Sequence, residues 1–214
     1  MIDRLHYISQ ETENISHLDA IQRALIAGAK WVQLRVKNQP NHIIFDLAIK
    51  AKTLCEKHGA KLIVNDYPVI ALMANAYGLH LGQTDMSITE ARTIVGNKMI
   101  IGGTANTFEQ VKKRVIEGAD YIGLGPYRFT NTKQNLSPIL GLAGYESIMS
   151  RVWASCISTP IIAIGGIELD DIPLLMNTGL HGIAISGALT NTADPAPAIK
   201  EMYAALKNST SVNN

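Results

Sequence analysis

Short apolar runs rich in Val and Ile alternate with amphipathic stretches along the whole chain. Each run follows a glycine-marked break and leads through a polar turn into a segment with helical periodicity, which is the pattern of a βα unit. The runs predict eight strands, at residues 5–9, 31–36, 61–65, 77–81, 99–102, 121–124, 161–164 and 182–185.

The segments between the runs have the spacing of helices with one apolar face. In HLDAIQRALIAGA, for example, we expect Leu18, Ile21, Leu25 and Ile26 to share the buried face. GAKWVQL, GAKLIV and GADYIGL read as copies of one helix-to-strand joint, and the units recur at about 27 residues, near the size of half a βαβ unit. This alternation predicts parallel strands.

Eight βα units predict an α/β protein folded as a single-domain (βα)8 TIM barrel. We assign residues 1–207 to the barrel, as one catalytic domain, and residues 208–214 to a polar tail that we expect to be disordered. The alternative is a doubly wound open sheet. It would normally use fewer strands, and the GxGxxG of a dinucleotide site does not follow the first predicted strand.

Composition narrows the class of protein. With 214 residues, 47% hydrophobic and 17% charged, the chain can bury a sizeable core. The net charge of +1 predicts neither nucleic acid nor an anionic membrane as a partner. Cys55 and Cys156 form no CxxC pair, and the chain shows neither a secretion signal nor an apolar run of spanning length. We therefore expect a cytoplasmic protein with small-molecule substrates, and its oligomeric state, including a homo-oligomer, stays open.

Three polar residues alternate with apolar ones along the second predicted strand. Gln33, Arg35 and Lys37 share the face that we expect to point into the barrel, because the apolar face packs on the helices. Two inward cations favour an anion such as phosphate as their partner. The structural alternative is an ion pair with a carboxylate of the barrel.

Two carboxylates follow the third and fourth predicted strands. Asp66 and Asp85 would emerge at neighbouring strand ends, where one or two carboxylates with substrate phosphates are typical of a Mg²⁺ site. Alternatively, each aspartate caps the helix that follows it. His80 on the fourth strand fits a hydrogen-bonded interior histidine as well as a catalytic one.

The last strands predict a phosphate site. Gly166 and Ser186 follow the seventh and eighth predicted strands, where glycine-containing loops of these barrels bind phosphate through backbone N–H groups. The alternative is turn glycines without a ligand. The long irregular segment 126–140 carries Thr130, Thr132 and Lys133, which suit an anion, although a lone loop lysine is usually solvated.

Seven short motifs, in order from about residue 5 to residue 189, resemble the thiamine phosphate synthase family. They are Gln33-Leu-Arg-Val-Lys37, Asn65-Asp66, His80-Leu-Gly-Gln-Thr-Asp85, Gly125-Pro126 with Thr130-Asn-Thr-Lys133, Pro138-Ile-Leu-Gly141, Ala163-Ile-Gly-Gly166 and Ile185-Ser186. The resemblance implies a barrel that joins hydroxymethylpyrimidine diphosphate to hydroxyethylthiazole phosphate. It also implies that Mg²⁺ is the cofactor and that pyrophosphate is released.

The resemblance also implies roles for individual residues. Arg35, Lys37 and Lys133 would be the catalytic cations, acting on the diphosphate. Asp66 and Asp85 would bind the metal. The remaining substrate contacts would be Gln33 and Thr104 with the pyrimidine, Asn65 near the diphosphate, Thr130 and Thr132 closing over the substrates, and Gly166, Ile185 and Ser186 with the thiazole phosphate.

The chain departs from the family pattern at a few positions. Val36 replaces a usual glutamate and should face outward, so we expect little effect. Tyr67 replaces an arginine of the family pattern. The usual Ser-Thr-His-Thr stretch reads Thr104-Ala-Asn-Thr, with Asn106 in place of histidine. The resemblance therefore leaves open the substrate contacts at Tyr67 and Asn106 and their effect on the reaction rate. The related thiazole tautomerases carry a histidine where this chain has Pro126, which argues against that activity. A non-catalytic regulatory barrel is a third alternative; loss of the metal or lysine residues would have favoured it.

Overall fold

The computed structural model describes residues 1–130 and 137–208, in which eight parallel strands close into a barrel in chain order. The strands are β1 Leu5–Ile8, β2 Trp31–Leu34, β3 Lys61–Asn65, β4 Gly78–Leu81, β5 Ile100–Ala105, β6 Tyr121–Leu124, β7 Ile161–Ala163 and β8 Gly182–Ile185. The helices are α1 His17–Ile26, α2 Asn41–Lys57, α3 Pro68–Met73, α4 Ile88–Val95, α5 Phe108–Ile116, α6 Gly141–Ala154, α7 Ile172–Asn177, α8 Gly187–Thr190 and α9 Pro195–Asn208. A 3₁₀ turn, Leu169–Asp171, precedes α7.

The predicted barrel is confirmed, and the open sheet is excluded because β1 pairs with β8 as well as with β2. All eight predicted strands are present, although some of their ends differ. β5 continues to Ala105, beyond Gly102, where the sequence pattern predicts its end. Gly102 lies inside this strand because the ring of Tyr121 fills the space of a side chain there: a Cβ would lie 2.1 Å from a ring atom.

The core has two layers, one between strands and helices and one inside the barrel. The inner layer contains Trp31, Ile63, Tyr121, Ile162 and Ala184. His6 stacks on Trp31 with the ring centroids 4.7 Å apart and meets Tyr121 edge-on at 5.2 Å. Burial lowers the pKa of His6 to about 3, so this histidine is neutral at physiological pH. These rings fill the cross-section of the barrel below its mouth.

The helices begin and end as their local sequences dictate. Ser87 and Thr107 form capping boxes with Glu90 and Gln110 at the starts of α4 and α5.

In α1, Ile21 and Leu25 are buried, but Ile26 is 67% exposed, so its predicted place on the buried face is wrong. Five residues of α-helix turn Ile26 about 140° away from Ile21, which puts it outside the apolar stripe.

The final helix extends to Asn208, the first residue of the predicted tail. The rest of that tail, residues 209–214, lies outside the described residues, as does the stretch 131–136 between β6 and α6. Among the described residues, none of the helices has both the length and the apolar character that crossing a membrane requires.

Candidate active site at the barrel mouth

A layer of polar side chains lies above the aromatic layer, inside the carboxyl ends of the strands. Gln33 and Asn65 are 4% and 5% exposed, and the Gln33 Nε2 donates a hydrogen bond of 2.7 Å to the Asn65 Oδ1. Gln33 points inward, as the alternation of β2 predicts, while Val36 is buried in the outer core. Two predicted substrate contacts are therefore held together from adjacent strands.

His80 and Thr104 belong to the same interior layer. The His80 Nε2 lies 3.0 Å from the Thr104 Oγ1, and its Nδ1 lies 3.0 Å from the Tyr121 hydroxyl. Both ring nitrogens are thus engaged with the barrel wall, which favours the structural alternative for His80. Its contact orients Thr104, the residue predicted to face the pyrimidine.

Arg35 and Lys37 follow Leu34, the last residue of β2, and so lie at the rim of the barrel. Arg35 is partly buried, whereas the side chain of Lys37 is 43% exposed and its Nζ is hydrogen-bonded to the Asp66 Oδ2. The expectation that both side chains point into the barrel is wrong for Lys37. The ion pair that we gave as the structural alternative does form, with Asp66, and Arg35 faces the fields of both Asp66 and Asp85.

Asp66 and Asp85 converge beside these cations. Asp66 follows β3 directly, in a left-handed conformation with φ +69°, which is uncommon for a residue with a side chain and concentrates at functional sites. Asp85 lies in the turn between β4 and α4, where its Oδ2 accepts a hydrogen bond of 2.6 Å from the Gly82 N–H. Neither caps a helix: the caps of α3 and α4 are Tyr67 and Ser87. The capping alternative is therefore wrong for both aspartates.

The two carboxyl groups are close enough to affect each other's protonation. Burial, and then the hydrogen bond to Asp85, raise the pKa of Asp66 to about 6 against the opposing effect of Lys37. Burial also acts to raise the pKa of Asp85, but hydrogen bonds from Asp66 and from the Gly82 N–H outweigh it and lower that pKa. Two neighbouring carboxyl groups of this kind form a donor set suited to a divalent cation.

A second network supports the rim beneath Arg35, and the sequence reasoning missed it. The Arg35 N–H donates a hydrogen bond of 3.1 Å to the Ser9 Oγ, which also lies 2.9 Å from the His17 Nδ1. Ser9 and His17 are 1% and 8% exposed. Burial, which exceeds the opposing effect of Glu11, lowers the pKa of His17. Ser9 follows β1 as Asp66 follows β3, so the criterion of polar residues at strand ends could have found it.

The turn after β7 consists of two glycines in left-handed conformations. Gly165 and Gly166 have φ values of +91° and +67°, which side chains rarely adopt. A Cβ on Gly166 would lie 2.5 Å from the Arg128 Cγ and 2.9 Å from the Phe129 carbonyl oxygen. The segment after β6 therefore packs directly on Gly166.

The end of β8 completes this half of the rim. Ser186 lies between β8 and α8, and its Oγ donates a hydrogen bond of 3.1 Å to the Gln10 Oε1. The Ile185 side chain is 2% exposed and belongs to the outer core, so this residue can meet a ligand at the mouth only through its backbone. Gln10, which follows β1, is a neighbour of the predicted phosphate site that the sequence reasoning missed.

The segment between β6 and α6 starts and ends at the rim. Asn106, at the end of β5, donates hydrogen bonds of 3.0 and 2.9 Å to the carbonyl oxygens of Gly125 and Pro138 and so joins the two ends of the segment. Thr130 is partly buried. Thr132 and Lys133, predicted to close over the substrates, lie outside the described residues.

Known proteins resemble this chain over nearly its whole length. The family model described as thiamine monophosphate synthase matches residues 5–189 of the chain. A thiamine-phosphate synthase of Flavobacterium johnsoniae is 50% identical over 202 residues, which are 94% of this chain and 95% of that protein. One of Bacteroides fragilis is 47% identical over 198 residues, 92% of this chain and 97% of that protein.

A solved structure agrees with these sequence matches. The thiamine phosphate pyrophosphorylase of Pyrococcus furiosus superposes with a TM-score of 0.81 at 27% identity, and the match covers 96% of both chains. The residues matched by the family model, 5–189, include all eight strands of the barrel.

Proposed function

The chain belongs to the thiamine monophosphate synthase family, and from this premise we propose that its barrel mouth joins hydroxymethylpyrimidine diphosphate to hydroxyethylthiazole phosphate. The chain is a transferase of thiamine biosynthesis. The observation that carries the proposal for the site is the meeting of Arg35 and Lys37 with Asp66 and Asp85 at one part of the rim. The glycine turn after β7 and Ser186 after β8 lie at another part of the same rim.

The two parts of the rim suit two phosphorylated substrates. Cations beside paired carboxylates suit a diphosphate that arrives with a divalent metal. The turns after β7 and β8 suit a monophosphate, because this position forms the usual phosphate site of such barrels. Gln33 and Thr104, which are buried inside the mouth, would contact the pyrimidine of the diphosphate substrate.

The donor set favours Mg²⁺ as the metal. Asp66 and Asp85 would hold it, with diphosphate oxygens and water completing the shell, since Mg²⁺ is usually bound by one or two carboxylates together with substrate phosphates. No cluster of three or more His, Cys, Asp or Glu residues suited to a metal occurs among residues 1–130 and 137–208. When bound, the ion supplies positive charge next to the leaving diphosphate.

The reaction needs charge stabilisation more than proton transfer. The bond between the methylene carbon of the pyrimidine and the bridging oxygen of the diphosphate breaks, and pyrophosphate leaves with the electron pair. Arg35 and Lys37 stabilise the charge that grows on it, with Lys133 as a third cation by resemblance. The electron-rich aminopyrimidine stabilises the methylene cation, and the thiazole nitrogen then uses its lone pair to form the new C–N bond. This step releases no proton, so no general base is required.

The turns after β7 and β8 have a different task. By binding the phosphate of the thiazole, they place its nitrogen close to the cationic carbon, so that capture by the nitrogen is faster than capture by water. Water would yield the free pyrimidine alcohol. The ratio of thiamine phosphate to this alcohol therefore reports how well the thiazole is positioned.

The test is an assay with both phosphorylated precursors and Mg²⁺, in which thiamine phosphate and pyrophosphate are measured together. We expect equal amounts of the two products, and we expect single-turnover chemistry in EDTA to be far slower. A tautomerase would convert one thiazole isomer without the pyrimidine, and a regulator would bind a precursor without turnover. Either result, or an equal single-turnover rate in EDTA, would contradict the proposed chemistry.

A further inference from the structure

Arg128 links the segment after β6 to the turn after β7. Its Nη1 and Nη2 donate hydrogen bonds of 2.8 and 2.7 Å to the two carboxylate oxygens of Asp171, and its Nη1 donates a third, of 3.1 Å, to the Gly166 carbonyl. A bidentate contact between a guanidinium and a carboxylate fixes orientation as well as distance. One side chain thus holds the backbone of the glycine turn and the 3₁₀ turn that follows it.

The partner of Arg128 is itself firmly placed. Asp171 is 7% exposed, and its Oδ2 also accepts a hydrogen bond of 2.8 Å from the Glu168 N–H. The Arg128 N–H donates a hydrogen bond of 3.0 Å to the Gly165 carbonyl, and the guanidinium lies 5.0 Å from the centroid of the Tyr127 ring. Backbone and side chain of the same residue therefore fix the glycine turn at two successive positions.

We propose that Arg128 is a positioning residue for the thiazole phosphate: by holding the Gly166 carbonyl and Asp171, it sets the backbone that receives this phosphate. The inference rests on the proposed function of the turns after β7 and β8. Arg128 directs its two terminal nitrogens at Asp171, so it acts through the glycine turn and not as a ligand of the phosphate.

The position of the contact explains why the effect should be confined to one substrate. Gly166 and Asp171 lie after β7, whereas Arg35 and the paired aspartates lie after β2, β3 and β4, across the closed barrel. Loss of the Arg128 side chain removes its hydrogen bonds to the Gly166 carbonyl and to Asp171 but leaves the contacts among Lys37, Asp66 and Asp85 in place. A selective change in KM for the thiazole phosphate is therefore expected.

Steady-state kinetics of Arg128→Ala and Arg128→Lys with both substrates test the proposal. We expect KM for the thiazole phosphate to rise roughly tenfold in both variants, since small misplacements of binding groups have effects of this size or larger. KM for the pyrimidine diphosphate should stay within a factor of about two. Lysine keeps the charge but has no fork to bind Asp171 and Gly166 together, so it should not rescue. Inorganic phosphate should compete with the thiazole phosphate, and its inhibition constant should rise in the same variants.

Arg151→Ala is the matched control. Arg151 on α6 also pairs with a carboxylate, with 2.8 Å between its Nη2 and the Glu109 Oε1, and its guanidinium lies 4.0 Å from the centroid of the Phe108 ring. Its side chain is 53% exposed, against 43% for Arg128. Loss of this surface ion pair should leave both KM values unchanged.

Asp171→Asn separates positioning from direct binding. If Arg128 acts through the turn, this variant should also raise KM for the thiazole phosphate; if Arg128 binds the phosphate itself, releasing it from Asp171 should leave that KM unchanged or lower it. Three results would overturn the inference: an unchanged or lower KM for the thiazole phosphate in Asp171→Asn, an equal rise in KM for both substrates, or rescue by Arg128→Lys. Ser186→Ala shows whether the inference about Arg128 or the proposed phosphate site has failed. If KM for the thiazole phosphate rises selectively in Ser186→Ala but not in the Arg128 variants, only the inference about Arg128 is refuted. If none of these variants changes KM for the thiazole phosphate in an active enzyme, the phosphate site itself is misplaced.

Discussion

Asp66→Asn should stabilise the metal-free protein while it abolishes metal-dependent turnover. In the folded protein the pKa of Asp66 is about 6, against an ordinary value of 3.8, so the fold disfavours the charged form. As the pH rises through this window, the unfolded chain loses its proton first, and the stability of the folded protein falls. Asparagine removes this effect and also tolerates the left-handed backbone at this position.

The size of the effect follows from the pKa difference. A shift of about two pKa units corresponds to about 3 kcal/mol above pH 7, because each unit is worth about 1.4 kcal/mol. Screening by solvent and loss of the ion pair with Lys37 reduce this figure, so we expect a net gain of about 1 to 2 kcal/mol at pH 7.5. Near pH 4 the variant and the wild type should have nearly the same stability, because the wild-type carboxyl group is then protonated in the fold.

Urea unfolding in EDTA at pH 7.5 and pH 4, repeated with Mg²⁺ at pH 7.5, measures these differences. Saturating Mg²⁺ should stabilise the wild type, since a ligand that binds only the folded state shifts the equilibrium, and should have little effect on the variant. Asp120→Asn is the control. Its Oδ2 accepts hydrogen bonds of 2.8 Å from the Arg92 Nη2 and the Ile101 N–H, so the same substitution there should destabilise the protein. A variant at position 66 that is less stable than the wild type at pH 7.5, or that gains as much from Mg²⁺, would refute the reasoning.

Three further predictions concern other parts of the molecule. Ser186→Ala should raise KM for the thiazole phosphate more than KM for the pyrimidine diphosphate, and equal changes in steady-state kinetics would contradict two separate substrate sites. Asn106→Ala removes the donor shared by the Gly125 and Pro138 carbonyls, so it should cost about 1 to 3 kcal/mol in urea unfolding and increase the share of pyrimidine alcohol among the products; an unchanged product ratio would show that this anchor does not affect the reaction. His6 has a pKa of about 3 in the fold against 6.5 ordinarily, so the unfolded chain takes up its proton first and stability should fall by about 1.4 kcal/mol per pH unit as the pH drops below 6.5. His6→Phe should flatten this dependence, and an unchanged slope would count against a neutral buried histidine.

The sequence predicts the barrel well because two periodicities determine it. Alternation of period two places Gln33 inside and Val36 outside, and eight repeated units with parallel strands close into a barrel. The positions of Asp66 and Asp85 follow from the same reasoning, since Asp66 directly follows β3 and Asp85 lies in the turn after β4. The interaction between the two carboxyl groups does not follow from the pattern of strands. The pKa of Asp66 depends on its burial and on its contacts with Asp85 and Lys37, which only the folded structure shows.

What the sequence could not predict depends on contacts between distant residues or on where a strand ends. The alternation of polar and apolar residues continues past Leu34, so the sequence predicts the end of β2 two residues too late and does not show that Arg35 already lies beyond it. Arg128 and Asp171 are 43 residues apart, and only the adjacency of β6 and β7 brings them together. For Thr132 and Lys133 the predicted roles stay predictions.

The rings of His6, Trp31 and Tyr121 across the barrel affect how substrates enter and products leave. They make the reaction chamber a cup with a closed floor, in the part of the chain that the structure describes. At the site proposed above, substrates would arrive and products would depart over the same rim, because these rings close the barrel beneath it. Thiamine phosphate and pyrophosphate would therefore have to leave through this opening before the next two substrates can bind. The order of product release and substrate binding then becomes part of the catalytic cycle.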